Sequence, residues 1–237
     1  MISFWLIWPL SLVGAVAIQP YQVQVTRRQR AGLRSRSSSD RFYALVGLSQ
    51  TAVLLTVADL VGVEASSKVG LGWVASGLSS AWLPFACLGS IALGVVLGLS
   101  LPALDDRIFR DLSRTVSAAP APSRLQALGA SLYGGISEEA ISRLFVMSVL
   151  VYAVTLLSSG GPWPFIFGVI GSSLLFGAGH LPLALRLLGG SARVYERTLL
   201  LNGIAGVVFG VVFWQLGLGF AMVSHFTADV LLHVRHA

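Results

Sequence analysis

The feature that most constrains this chain is a series of seven apolar runs, each near the length that crosses a bilayer as a helix: 2–18, 42–63, 81–101, 136–157, 164–182, 198–217 and 219–234. Roughly 20 mainly apolar residues, rising about 1.5 Å each, span the hydrocarbon layer. Inside lipid every backbone N–H and C=O must be satisfied within the protein, and helices do this locally. Composition agrees. Hydrophobic residues make up 55% of the 237 positions and charged residues 11%, with a mean hydropathy of +0.80. That is too little charge to cover a soluble surface. The sequence predicts an all-α, polytopic membrane helix bundle of about seven transmembrane helices.

The net charge of +6 and the pI near 10.2 raise the possibility of a nucleic-acid partner, but the positions of the charges argue against one. Arg27, Arg28, Arg30, Arg34, Arg36 and Arg41 fall in the first connection. Arg107, Arg110, Arg114 and Arg124 fall in the third, Arg186, Arg193 and Arg197 in the fifth, and Arg235 after the last run. A seven-span path puts all of them on one side, leaving Lys68 opposite and Arg143 within a run. By the positive-inside rule the N-terminus is then outside and the C-terminus cytoplasmic. The expected partners are the lipid bilayer and a membrane-associated substrate, with no nucleic acid.

Ala15-Val16-Ala17 resembles a leader cleavage site, but no positive segment precedes it, so 2–18 reads as a span. The Ser/Arg-rich stretch 34–39 reads as a cytoplasmic loop, and Cys87, alone in an apolar run, as a small buried hydrophobe. Ala and Pro at 118–122 form a linker that divides the chain into 1–122, spans and loops without motifs, and 123–237, which carries the chemistry. Ser123 and Gln126 have capping-box spacing, so a helix is expected to begin there. Gly134-Gly135 is expected to break it into an interfacial piece and a span.

Ionisable side chains inside apolar runs cost about 2.5–3.5 kcal/mol each even on lenient insertion scales, so they are functional candidates by default. Glu138, Glu139 and Arg143 form E-E-x-x-x-R in the fourth run, Phe176 and His180 form F-x-x-x-H in the fifth, and His225 and Asp229 form H-x-x-x-D in the seventh. On a helix Glu139 and Arg143 stack one turn apart and can pair, while Glu138 is rotated by about 100° toward a cavity. Phe176 reads as packing. Asp229 stacks on His225 and can fix its tautomer. The alternating path brings Glu138, Glu139 and His180 to similar depth, with His225 and Asp229 about 14 and 8 Å from the cytoplasmic end of the last run. The site is therefore expected near the cytoplasmic side. Asp59 and Asn202 are further candidates to line the cavity, and His233 and His236 read as solvated ends.

These three motifs, in order on successive apolar runs, resemble the CPBP family of CAAX prenyl endopeptidases and bacteriocin-processing or self-immunity proteins, also called Abi. The resemblance covers about residues 124–234, including the context from Ser172 to Pro182 and from Gly219 to Leu232. It implies an intramembrane protease in which Glu138 and His180 activate water while His225 and Asp229 hold the scissile carbonyl and its oxyanion. Residue 229 is Asp where the prenyl-protein endopeptidases have Asn, which bears on CAAX specificity. The resemblance leaves open a prenylated or a leader-peptide substrate, and a glutamate-type or a metallo-endopeptidase. Zinc on Glu138, His180, His225 and Asp229 is a legitimate ligand set, although an obligatory metal is not favoured. The expected location is a prokaryotic plasma membrane. Two other classes compete: a multi-span transporter with an intramembrane proton relay, and a non-catalytic immunity or scaffold protein.

Overall fold

The computed structural model describes residues 1–30, 40–117, 121–158 and 160–234, and among them all regular structure is helical. The loop 34–39, residues 118–120 of the linker, Arg235 and His236 lie outside the described residues. The first helices are α1 (Phe4–Ala17), α2 (Gln19–Arg30) and α3 (Asp40–Lys68). A short 3₁₀ turn, Ser80–Trp82, leads into α4 (Leu83–Ile108), and α5 (Arg110–Ser117) follows. Pro84 in the first turn of α4 suits a helix start, where no intrahelical N–H is needed.

Ser123 begins α6 (Arg124–Leu132) with a complete capping box, its hydroxyl accepting from the Gln126 amide and the Gln126 side chain accepting from the Ser123 amide. Gly134-Gly135 does not break the helix that follows. The backbone instead widens into two π-helical segments, Tyr133–Glu138 and Ala140–Met147, before narrowing again to α7 (Ser148–Thr155). Sustained i→i+5 winding is rare and gathers at functional sites. Both glutamates lie in or between these segments.

The last helices are α8 (Trp163–Leu188), α9 (Ala192–Gln215) and α10 (Leu218–Val234). Pro182, where the fifth run ends in sequence, is inside α8, which continues to Leu188. Proline removes one ladder bond, here to the carbonyl of Ala178, and near a helix end that loss is tolerable. The helix stops instead at Gly189, with φ 84°.

Among the described residues, five helical stretches are long and apolar enough to cross a membrane: Phe4–Arg27, Arg41–Lys68, Ser80–Ile108, Trp163–Leu188 and Ala192–Gln215. The chain is an integral membrane protein. The π-containing helix and the 17-residue α10 carry buried ionisable side chains, Glu139 and Arg143 on the first and His225 on the second. Trp5, Phe85, Leu88 and Phe167, by contrast, expose their side chains on the outer face, as a lipid-facing surface requires.

Two polar ties seat α10. Ser224 donates to the Ser90 carbonyl of α4 at 2.8 Å, and the backbone around Gly72 and Trp73 pairs with Leu218 and Gly219 at 2.9 and 3.2 Å. This fixes the depth at which His225 and Asp229 enter the bundle.

Candidate active site

The four chemical elements of the site come from three helices and meet at the π-helical segments. Glu138 ends the first segment, and its Oε2 lies 3.8 Å from Nε2 of His180 on α8. Both side chains are partly open, at 24% and 34% exposure. His180 Nδ1 is 2.8 Å from the Phe176 carbonyl, which can only accept, so this nitrogen carries the proton. In the neutral ring Nε2 then turns a lone pair toward Glu138. The separation is too long for a direct hydrogen bond, yet a water set to one side of the line can reach both atoms at about 2.8 Å.

Glu139, one residue on, is in a different world. It is fully buried, as is Arg143, whose Nε lies 3.4 Å from Glu139 Oε2. Arg143 also donates from Nη1 to Ser172 at 3.1 Å and lies over the Phe176 ring, 5.4 Å from its centroid. The other oxygen of Glu139 accepts from His225 Nδ1 at 2.9 Å. From sequence, Asp229 is the residue expected to orient His225. The structure corrects this: Asp229 Oδ1 stands 3.7 Å from Nε2, beyond hydrogen-bond range, and Glu139 makes the aligned contact. A partner from another helix holds the ring better because its reach is set by packing and not by the fixed pitch of α10.

Aromatic rings complete the seat. His225 stacks on Phe209 of α9 with centroids 4.4 Å apart and planes at 16°, and meets the edge of Phe176 at 5.8 Å. Phe176 also packs edge-on against His180 at 4.7 Å, so one ring spaces both imidazoles and covers the Arg143 guanidinium. Gly134 allows α10 this close, since any Cβ there would collide with Asp229 Oδ2.

Two cavities meet at Glu138, Phe176 and His180. The first, about 810 Å³, runs between α2, α3 and α8 and is walled mainly by apolar side chains such as Val23, Val46, Leu54, Val146 and Leu175. The second, about 950 Å³, has the greater number of ionisable and polar side chains in its wall, among them His225, Asp229, Asn202 and Arg197, and is the polar one of the two in that sense. Tyr133 lines both. Of the residues singled out in the sequence, Glu138 and His180 line both cavities and His225 and Asp229 the second, whereas Glu139 and Arg143 line neither.

The remaining candidates divide. Asn202 lines the polar cavity, but Asp59 does not; it is fully buried against Ser11 of α1. His233 is not simply solvated. It lines the polar cavity, with Nδ1 3.1 Å from the Ser131 hydroxyl. Phe209 and the Asp105–Arg197 pair, bidentate at 2.7 and 2.6 Å, were not legible as site residues, because aromatic and arginine residues at run ends carry no motif. Among the described residues no group of three or more His, Cys, Asp and Glu is gathered closely enough to hold a metal ion. The Nδ1 atoms of both His180 and His225 are engaged, as those of metal-bound imidazoles also are, so it is the spread of the four side chains that keeps the zinc set named above from forming one ligand sphere.

The structure is thus a helix bundle in which two imidazoles lie near three carboxylates. Residues 120–231, which contain every one of the motif residues, match the family described as Rce1-like, type II CAAX prenyl endopeptidase. That match over residues 120–231 agrees with the CPBP resemblance of the motifs. No curated protein and no solved structure matches the chain.

Proposed function

We propose that the protein hydrolyses a peptide bond of a membrane-associated substrate, using a water held between Glu138 and His180. The observation that carries this reading is the 3.8 Å gap between Glu138 Oε2 and His180 Nε2, with Nδ1 capped by a carbonyl and two cavities opening onto the gap. Such a water donates one hydrogen to each acceptor, which leaves its lone pairs free to attack a carbonyl carbon. As the O–C bond forms, Glu138 takes a proton. As the C–N bond breaks, that proton passes to the departing amine. General-base assistance of this kind contributes about 10²–10⁴-fold.

The oxyanion forms on the polar side, by His225 and Asp229. Because His225 Nδ1 donates to Glu139, the ring offers an N–H from Nε2 to the oxyanion when both its nitrogens are protonated. Asp229 assists as a donor when it holds a proton. Preorganised donors of this kind are worth about 10²–10³-fold.

The unlike cavities support a two-part substrate, with an apolar chain between α2, α3 and α8 and a peptide in the polar cavity. A prenylated C-terminal peptide has that form. We take the π-containing helix and α10 as two further spans, giving seven, with the N-terminus outside and the site near the cytoplasmic face of a prokaryotic plasma membrane. Cysteine labelling should then reach Ser191 from the cytoplasm and Ser66 and Ser158 from outside. Labelling of Ser158 from the cytoplasm would overturn this orientation.

The test of function is cleavage of a farnesylated CAAX peptide by purified protein, beside Glu138→Gln. Loss of cleavage in the variant supports the mechanism. Equal cleavage by the variant ends the mechanism, and no cleavage by wild type favours a carrier or scaffold.

A further inference from the structure

The residues that aim Glu138 include some on helices that carry no motif and lie outside the matched segment. Ser137 precedes Glu138 on the first π segment and faces the other way, fully buried against α1. Its hydroxyl donates to the Ser11 carbonyl at 2.8 Å. The Ser11 hydroxyl in turn donates to Asp59 Oδ1 of α3 at 3.4 Å, and Asp59 Oδ2 has no hydrogen-bond partner. One turn before Ser11, Trp8 donates to Thr56 of α3 at 2.9 Å, so α1 is tied to α3 at two points.

Steric contacts fall in the same places. A Cβ on Gly14 of α1 would collide with Ser137 Oγ, and one on Gly62 of α3 would stand 2.8 Å from the Leu144 carbonyl oxygen. Each glycine therefore lets its helix lie directly on one of the two π segments. Burying three polar side chains and an unpartnered carboxyl oxygen in a membrane protein is costly where alanine would pack without penalty. A stretch of π helix also needs neighbours to hold it, because its winding is not a local optimum.

We infer that α1 and α3 form a clamp in which Asp59 is a positioning residue, acting through Ser11 and Ser137 to set the direction of Glu138. This rests on the hydrolytic reading above. The inference assigns a catalytic consequence to a buried aspartate far from the reacting atoms in sequence and touching none of them.

The experiment uses full-length protein in nanodiscs and a farnesylated CAAX peptide. Wild type is compared with Asp59→Ala, Asp59→Asn, Ser137→Ala and the double variant Asp59→Ala/Ser137→Ala. Displacing a reacting group by about 1 Å can cost roughly 100-fold, so Asp59→Ala should lower kcat by about ten- to hundredfold with KM within about twofold. Asp59→Asn keeps an acceptor for Ser11 and should restore kcat to within about threefold of wild type. Ser137→Ala should mimic Asp59→Ala, and the double variant should be no worse than either single one, since all break one chain of contacts. Unchanged kcat in folded Asp59→Ala, or equal losses in Asn and Ala variants, overturns the clamp. Should Asp59→Ala not fold, Ser137→Ala and Asp59→Asn decide the matter by the same readings. Glu138→Gln runs alongside: if it cleaves as well as wild type, the hydrolytic mechanism fails, whatever Asp59 does.

Discussion

Two carboxylates adjacent in sequence occupy opposite environments in this protein. Glu138 is partly open, lies at the junction of two cavities, and faces a lone pair of His180 at 3.8 Å, a separation that a water set to one side can bridge. Glu139 is sealed, with one oxygen accepting from His225 and the other beside Arg143. The difference teaches that the site is built in two layers. The outer carboxylate is left open to the cavities, and the inner one is held by a hydrogen bond from His225 on one oxygen and by the Arg143 charge beside the other. The π-helical backbone allows this, because it presents both residues without turning either out to lipid.

The comparison is broken most severely at its open side. Glu138→Gln should lower kcat by about 10²–10⁴-fold while the melting temperature stays near that of wild type, as read by cleavage assay and thermal denaturation. A large drop in melting temperature would move Glu138 into the structural layer. On the sealed side, Arg143→Ala should destabilise the fold by about 3–5 kcal/mol, because it strands Glu139 in a buried site, and the folded yield should fall accordingly. Rescue by the double variant Glu139→Gln/Arg143→Met would sharpen the point, since removing both charges removes the penalty.

Between the layers stands His225. Its replacement by Ala should cost about 100- to 1000-fold in kcat if it supports the oxyanion. Asp229→Asn should cost less, and the direction is informative: retained activity marks position 229 as a neutral donor, whereas a sharp fall marks a carboxylate acting on His225. The smallest effect is expected at Gly47, which lines the apolar cavity and whose missing Cβ would meet only the end of the Gln22 side chain, at 3.9 Å. Gly47→Phe should raise KM for a long-chain lipidated peptide more than for a short-chain one, with kcat within about twofold.

Much of the plan was legible in the chain because it rests on local rules. The apolar runs located the long helices, and i, i+4 spacing placed Glu139 beside Arg143. The one-sided arginines gave antiparallel neighbours, and that was enough to suggest that Glu138 and His180 approach each other. What stayed hidden depends on contacts between distant segments. The π winding at 133–147 leaves no periodic signature, since its residues form an ordinary apolar run with a Gly-Gly step. The Glu139–His225 bond joins residues 86 apart, and nothing in H-x-x-x-D says that the ring's partner is not its own Asp. Asp59 read as a possible cavity residue because its depth was clear but the face it turns to α1 was not.

The ring box around His225 has a magnetic consequence. An imidazole stacked face to face on Phe209 sits in the shielding zone of that ring. Its two carbon-bound protons should therefore be displaced from the positions usual for an imidazole that is not stacked on an aromatic ring. With the imidazoles labelled, that displaced pair of signals would report the geometry of the inner layer directly in the membrane, without any substrate being turned over.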